Sequence, residues 1–191
     1  MSKIDNVITK AIEEHEKWLS SWGRGGNGKR IKIQDITLHG SSIFCNRDLR
    51  YASFINVTFI ECDFTNTNLI GAEIRGNFNR SIFRNADLSY VNAFGSNFES
   101  ACLNNADLHK AILNKANLRG VDMRGSTICR ALLSETDLRN AELDVYVLFE
   151  IMKLYRSVID AKFNGNIEAR YDMPILDDYV YMLMRGFAFG S

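Results

Sequence analysis

The stretch that decides the fold is residues 86–120, which read ADLSY VNAFG SNFES ACLNN ADLHK AILNK ANLRG in consecutive groups of five. In nearly every group the third residue is large and apolar, and the first is small or slim. The third residues of the whole series are Phe78, Phe83, Leu88, Ala93, Phe98, Leu103, Leu108, Leu113, Leu118, Met123, Ile128, Leu133, Leu138 and Leu143. An earlier series in another register comprises Phe44, Leu49, Phe54, Phe59, Phe64, Leu69 and Ile74. The chain is therefore built from five-residue repeats.

A period of five excludes one continuous helix or strand. On a helix each step of five rotates the apolar residue by about 140°, which scatters the series around the axis. On a strand each step of five reverses the face, because side chains alternate. The chain must therefore turn once per repeat, with the first and third residues of the repeat pointing inward. Four such sides close a coil of about 20 residues, and stacked coils form parallel backbone pairs about 4.8 Å apart.

The units Ala86–Leu88, Ala106–Leu108 and Ala116–Leu118 resemble the A(D/N)LXX signature of pentapeptide-repeat proteins. The resemblance implies an all-β solenoid, namely a right-handed quadrilateral β-helix. Two further units, Ile31–Asp35 and Ile36–Gly40, extend the pattern toward the N-terminus. We therefore expect the β-helix over 31–145, preceded by a helix and a Gly-rich loop over 1–30 and followed by a helical segment over 146–191.

Three positions interrupt the pattern. An extra residue falls near Ser41, and the step from Ile74 to Phe78 is four residues instead of five. Arg47 is the one large residue at the first position of a repeat. Each register change predicts a local irregularity, which is either a simple defect or a contact with a partner.

Both ends of the solenoid are predicted to carry α-helical caps, because an open end exposes core and unpaired backbone. At the N-terminal end, apolar residues recur at helical spacing from Ile4 to Leu19, and the string around His15 with the following glycine loop resembles the leader of bacterial and phage pentapeptide proteins. His15 is expected to be a packing residue. The segment 146–191 is rich in Tyr, Phe and Met, so capping and homodimerisation through this end both stay open.

Charge and composition exclude several classes of protein. The chain has 23 basic and 23 acidic residues, which argues against direct binding of nucleic acid or a membrane surface. No apolar run approaches the about 18 residues of a membrane helix, and no signal peptide is expected. The four cysteines show no metal-binding spacing and are predicted to be reduced thiols of a cytoplasmic protein.

The sequence predicts no enzyme, cofactor or metal site. The sequence of residues 23–30 is similar to that of a phosphate-binding loop. However, Arg30 stands where the motif requires the hydroxyl of Ser or Thr, and a helix precedes the loop where the motif requires a strand. The three histidines lack zinc-binding spacing. Asp87 and Asp107 are expected to stack one coil apart, but such acids belong to the repeat signature and are interpreted as corner residues.

The outward positions carry the remaining functional signal. Asn77, Asn97 and Asn117 should form one column, a predicted hydrogen-bond ladder. Ile112 and Leu132 should form another column on the same wall as Phe94, which makes these three residues the candidate interaction patch. Either the C-terminal segment or a partner covers this patch.

We therefore predict a non-enzymatic protein-interaction module whose partner is an unidentified protein. The alternative implied by the family is a DNA mimic that binds DNA gyrase and confers drug tolerance. Residues 31–145 hold 12 Lys or Arg and 13 Asp or Glu, so their charges nearly cancel. Such a surface is a poor imitation of the uniformly negative phosphates of DNA.

Overall fold

The computed structural model describes residues 3–21 and 28–155 of the chain, and the side chains up to Ile151. It contains α1 (Lys3–Ser20), β1 (Lys32–Gln34), β2 (Thr37–His39), β3 (Ser53–Ile60), β4 (Glu73–Asn77) and α2 (Val145–Tyr155). The segment between β4 and α2 consists of single-residue bridges separated by turns. No helix among these described residues is long and apolar enough to cross a membrane.

The repeats stack as coils of a β solenoid. β3 pairs with β1, β2 and β4, always in parallel. Beyond β4 the parallel bridges join residues 20 apart, as in the series Asn77, Asn97, Asn117 and Asp137. Parallel pairing at this separation means that the chain completes one lap every 20 residues, as the five-residue period predicts.

Each repeat ends in a corner formed by its fifth residue. These residues adopt positive φ angles near +60°, as in Asn85 (φ 55°), Tyr90 (φ 59°) and Lys110 (φ 56°). The left-handed region is unfavourable for most L-residues and is easiest for Gly and Asn. Several corners of the solenoid nevertheless carry large side chains, which are thereby held at its edges.

The four-residue step between Ile74 and Phe78 is a missing corner. No positive-φ residue occurs there, and the chain runs straight through β4. Its pairing with β3 shifts between Ile55 and Val57. Gly76 then lies so close to Val57 that an added Cβ would come 2.3 Å from the Val57 carbonyl oxygen. The predicted irregularity is therefore real, and a glycine makes it possible.

The core lies along the solenoid axis and consists of the third residues of the repeats. Phe44, Phe64 and Phe83 stack face to face with ring centroids 4.6 Å apart. Several first residues with hydroxyl groups donate to backbone carbonyls of the preceding lap, as Ser81 Oγ does to Phe59 O at 2.7 Å. Ser96, Thr67 and Thr136 repeat this arrangement. These four polar first residues are compatible with burial because their hydroxyls have partners.

Helix α1 packs against the first coils. Ile8, Ile12 and His15 are the buried residues of this helix. The His15 ring accepts a hydrogen bond from Ile31 N at Nδ1 (3.1 Å) and approaches Arg50 O with Nε2 (3.1 Å). Because Nδ1 accepts a hydrogen bond, the neutral ring carries its proton on Nε2, which donates a hydrogen bond to Arg50 O. His15 is therefore a packing residue between the helix and the coils.

Two further contacts explain how the ends join the coils. Arg47, the large first residue, turns toward α1, where its guanidinium lies 3.5 Å from Glu16. At the other end Val147, Leu148 and Ile151 of α2 are buried in the same core as the coils. The rest of the predicted C-terminal segment, 156–191, lies outside the described residues.

A candidate protein-interaction wall

The three residues predicted as an interaction patch lie on one side of the solenoid. Its second residues form the column Glu73, Asn92, Ile112 and Leu132, joined by parallel bridges. Phe94 lies two residues after Asn92 on the same side. Phe94 and Leu132 are 43% and 52% exposed, and Ile112 is half-buried. The geometry thus brings Phe94, Ile112 and Leu132 together on one outward surface.

The structure adds three residues that the sequence analysis did not find. Ile55 is exposed at the same side, and Tyr51 and Tyr90 form corners at its edge. Ile55 precedes the register change, so counting from the later repeats does not place it. The tyrosines occupy positive-φ corners (62° and 59°), where residue preferences predict Gly or Asn. We call this surface the apolar wall and define it by Tyr51, Ile55, Tyr90, Phe94, Ile112 and Leu132.

Exposed apolar side chains are concentrated on the apolar wall. Among the described residues 31–144, the only other large apolar side chain that is equally exposed is Ile82, on a different side. Single exposed apolar residues are ordinary on soluble proteins, whereas a contiguous group marks a contact surface. The distribution therefore distinguishes this wall from the other three sides.

One edge of the apolar wall combines tyrosines with cations. Lys110 Nζ lies 3.1 Å from the Tyr90 hydroxyl and 4.9 Å from the centre of its ring. Toward the N-terminal end, the Tyr51 ring covers Gly71, where an added Cβ would come 2.9 Å from the ring. Arg30 Nε donates to the Tyr51 carbonyl. The edge is therefore both aromatic and basic.

A shallow cleft lies at the N-terminal end of the apolar wall. It has a volume of about 280 Å³ and is lined by Arg30, Lys32, Ser53, Ile55 and Glu73, among others. Glu73 is paired with Arg75 at 3.1 Å. The cleft therefore extends the wall with a basic and partly apolar recess.

Comparison with known proteins agrees with this architecture. The family model "Pentapeptide repeats" matches residues 44–76 and 94–128 with 8 copies of the repeat. These two stretches carry the pentapeptide repeats of that family. No curated protein matches it.

Among solved structures, several pentapeptide-repeat proteins match parts of this chain at low identity. A pentapeptide-repeat protein from the Arabidopsis thaliana thylakoid lumen is 24% identical, with a TM-score of 0.31, over 62% of this chain and 76% of that one. Rfr23 from the cyanobacterium Cyanothece is 22% identical, with a TM-score of 0.27, over 60% and 85% of the two chains. QnrB1, a plasmid-mediated fluoroquinolone resistance protein, is 19% identical, with a TM-score of 0.30, over 85% and 98%.

The acids of the pentapeptide repeat serve its backbone. The second-position carboxylate accepts the N–H of the fourth residue, as Asp87 does from Ser89 (3.0 Å) and Asp107 from His109 (2.9 Å). Asp87 and Asp107 are bridged one lap apart, as predicted, but they are not corner residues, because the corners are formed by the fifth residues of the repeats. Where the second residue is Asp or Asn, its side-chain oxygen closes the turn, which explains these residues in the repeat signature.

The predicted asparagine ladder forms only at its first step. Asn97 Nδ2 donates to Asn77 Oδ1 at 3.0 Å, whereas Asn117 Nδ2 donates to Glu99 Oε2 at 3.5 Å. The second step is lost because Glu99, a fourth residue on the same side, offers a charged acceptor. The column itself is continuous.

A second asparagine ladder runs along a corner and was not predicted. Asn66 Nδ2 donates to Asn46 Oδ1 (2.8 Å), and Asn85 Nδ2 donates to Asn66 Oδ1 (3.1 Å). These residues are fifth residues with positive φ, a conformation that Asn tolerates. The sequence signal for this ladder was asparagine as the fifth residue of every fourth repeat, that is, once per lap on the same corner.

Groups suited to catalysis or metal binding do not converge in the part of the chain that the structure describes. No set of three or more His, Cys, Asp or Glu side chains there is arranged to hold a metal ion. Cys45, Cys62, Cys102 and Cys129 are free thiols, and burial raises the pKa of Cys62. In the Gly-rich loop, residues 22–27 lie outside the described residues, and Gly28 packs against the backbone of α1 at Trp18.

Proposed function

We propose that this pentapeptide-repeat protein is a cytoplasmic, non-enzymatic module that binds a protein partner through the apolar wall. The observation that supports the proposal is the concentration of exposed apolar side chains on one of four otherwise polar sides. Burying such side chains releases water and stabilises a complex by roughly 25 cal/mol per Å² before the costs of association.

The rigidity of the solenoid favours binding by this wall. Its outward side chains project from backbone that is hydrogen-bonded to neighbouring coils. Ile112 N donates to Val91 O of the preceding lap (2.8 Å), and Ala111 O accepts from Leu132 N of the following lap (2.8 Å). A surface that is ordered before binding loses little conformational entropy when a partner docks. The apolar wall is therefore a preorganised surface.

The charge pattern does not favour the alternative, a DNA mimic that binds gyrase. Four acids are neutralised by the arginine two residues later, within the same repeat. The pairs are Asp48–Arg50, Glu73–Arg75, Asp122–Arg124 and Asp137–Arg139. The hydrogen bond from Arg139 lowers the pKa of Asp137, which keeps the pair ionised. Acids that alternate with bound guanidinium groups present a weak field compared with rows of phosphates.

We further propose that the coils wind right-handedly and that α1 and the C-terminal segment cap the solenoid. The handedness follows from the family resemblance. The contacts of His15 with Ile31 and Arg50 support a capping role for α1, because they tie the helix to the first coils. Homodimerisation through 146–191 stays a prediction, since most of that segment lies outside the described residues.

Photo-cross-linking tests the proposed function. A photoreactive phenylalanine analogue is placed at Phe94 or Leu132 of the full chain, and at Ile82 as the control on another side. After irradiation in a lysate of the source cells, we expect a discrete protein adduct at Phe94 and Leu132 and not at Ile82. Adducts of equal yield at all three positions, or at none, would remove the apolar wall as the binding surface.

A further inference from the structure

The charges along the apolar wall are not balanced. Glu73 is paired with Arg75, and Glu135 with Lys115 at 3.6 Å. Among the described residues, four cations of this wall and its edge form no salt bridge, namely Arg30, Lys32, Lys110 and Arg130. On the acidic side of this comparison, Asp35 also forms no salt bridge within the described part of the chain, and it accepts hydrogen bonds from Asn56 and Gln34. An excess of positive charge therefore faces solvent beside exposed apolar side chains.

These cations lie mainly along one edge. Lys110 and Arg130 are corner residues of the same column as Tyr51 and Tyr90, and Arg30 is bonded to the Tyr51 carbonyl. The apolar side chains Ile55, Phe94, Ile112 and Leu132 lie beside this column. The wall thus consists of an apolar stripe and a parallel basic, aromatic stripe.

The spacing of the coils fits a helix better than an extended chain. Neighbouring coils lie about 4.8 Å apart, so the rungs from Lys32 to Leu132 span about 24 Å. Side chains on one face of an α-helix recur every three or four residues, which is a rise of about 4.5–6 Å. Side chains on one face of a strand recur about every 6.6 Å. A helix of about 16 residues lying along the axis can place one apolar side chain near each rung.

We propose that the apolar wall binds an amphipathic helix of a partner protein whose apolar face is bordered by Asp and Glu. The apolar face covers Ile55, Phe94, Ile112 and Leu132, and the acidic side chains meet Arg30, Lys110 and Arg130. This inference rests on the proposed function and names the chemical class of the partner. A nucleic acid offers the charge but no apolar side chains for the wall, so the observations favour the helix.

The test measures binding of synthetic helical peptides to the full chain by fluorescence anisotropy. The probe has about 16 residues with Leu along one face and Glu beside it; the control peptide carries Lys in place of every Glu. We expect the Glu peptide to bind at least about tenfold more tightly, and its affinity to fall as salt is raised.

Matched variants locate the binding surface. Leu132→Ser and Lys110→Glu should each weaken binding of the Glu peptide by about fivefold or more, a size typical of one buried contact. Ile82→Ser and Arg84→Glu change an exposed apolar residue and an exposed cation on another side, and should leave binding unchanged. Equal weakening by both pairs would overturn the assignment.

Other occupants give different outcomes, each of which contradicts the proposal. A single-stranded oligonucleotide that displaces the Glu peptide at equal concentration would indicate a nucleic-acid surface. Cross-links from Leu132 to the chain itself or to a second copy, with no peptide binding, would show that the chain covers its own wall. If Leu132 captures a partner protein but the two peptides bind equally, the proposed function stands and the acidic class is wrong.

Discussion

At the scale of single residues, the first position of the repeat shows what burial requires of a polar group. Ser81 Oγ donates to Phe59 O and accepts from Cys62 N, whereas Ser126 Oγ is buried and, among the described residues, has no hydrogen-bond partner. A buried hydroxyl without a partner destabilises the folded state, and one with two partners stabilises it. The same residue type at the same repeat position therefore has opposite effects on stability.

We expect Ser126→Ala to leave the free energy of unfolding unchanged or to raise it by up to about 1 kcal/mol, because it removes an unsatisfied hydroxyl. Ser81→Ala should lower it by about 1–3 kcal/mol, since Phe59 O and Cys62 N both lose a partner. Urea denaturation of the two variants measures the difference. Equal destabilisation by both substitutions would contradict this account of the first position.

At the scale of elements, α1 depends on the protonation state of His15. Burial is the main reason that the pKa of His15 is lowered, and it outweighs the hydrogen bond to Arg50, which favours the charged ring. Protonation would place a proton on Nδ1, where the ring now accepts from Ile31 N. A charged His15 is therefore incompatible with the present contact between α1 and the coils.

The pH dependence follows from the sign of this shift. The unfolded chain binds a proton at His15 near pH 6.5 and the folded chain only at lower pH, so stability rises with pH in this range. The contribution is fully present above about pH 6.5 and is lost as the pH falls toward the lowered pKa of the folded state. We expect the urea midpoint of the protein to fall between pH 7 and about pH 5, and the fall to be smaller in His15→Gln. An identical pH dependence in the variant would remove His15 from this role.

At the scale of the whole molecule, the alternation of inward and outward residues determines the fold. Ala116 is buried at the axis, and the adjacent Asn117 faces outward. We expect Ala116→Lys to prevent soluble folding, because it forces a charge into the core. Asn117→Lys is the matched control and should fold with a circular dichroism spectrum like that of the parent. Normal melting of Ala116→Lys would show that the inward assignment is wrong.

The five-residue period predicts the coils because it acts locally, whereas contacts distant in sequence could not be predicted. Leu108 and Ala106 are buried as the period requires, and the stacking of Ile112 on Leu132 follows from a lap of 20 residues. The outward turn of Arg47 depends on Glu16, which lies in another element.

The full extent of the apolar wall could not be predicted from the sequence either. Tyr51 and Tyr90 contribute because they occupy left-handed corners that residue preferences assign to other residues, and Ile55 lies before a register change whose geometry depends on the close contact of Gly76 with Val57. The excess of unpaired cations depends on which ion pairs form across neighbouring laps. None of these follows from the repeat alone.

The most direct test of the central claim is the dissociation constant of the protein partner captured through Leu132, measured for Leu132→Asp and for Ile82→Asp. The two substitutions introduce the same charge at exposed apolar positions on different sides of the solenoid. The account predicts at least about tenfold weaker binding for Leu132→Asp, since the charge must be desolvated at the interface, and unchanged binding for Ile82→Asp. Equal affinities for the two variants would contradict the apolar wall as the binding surface.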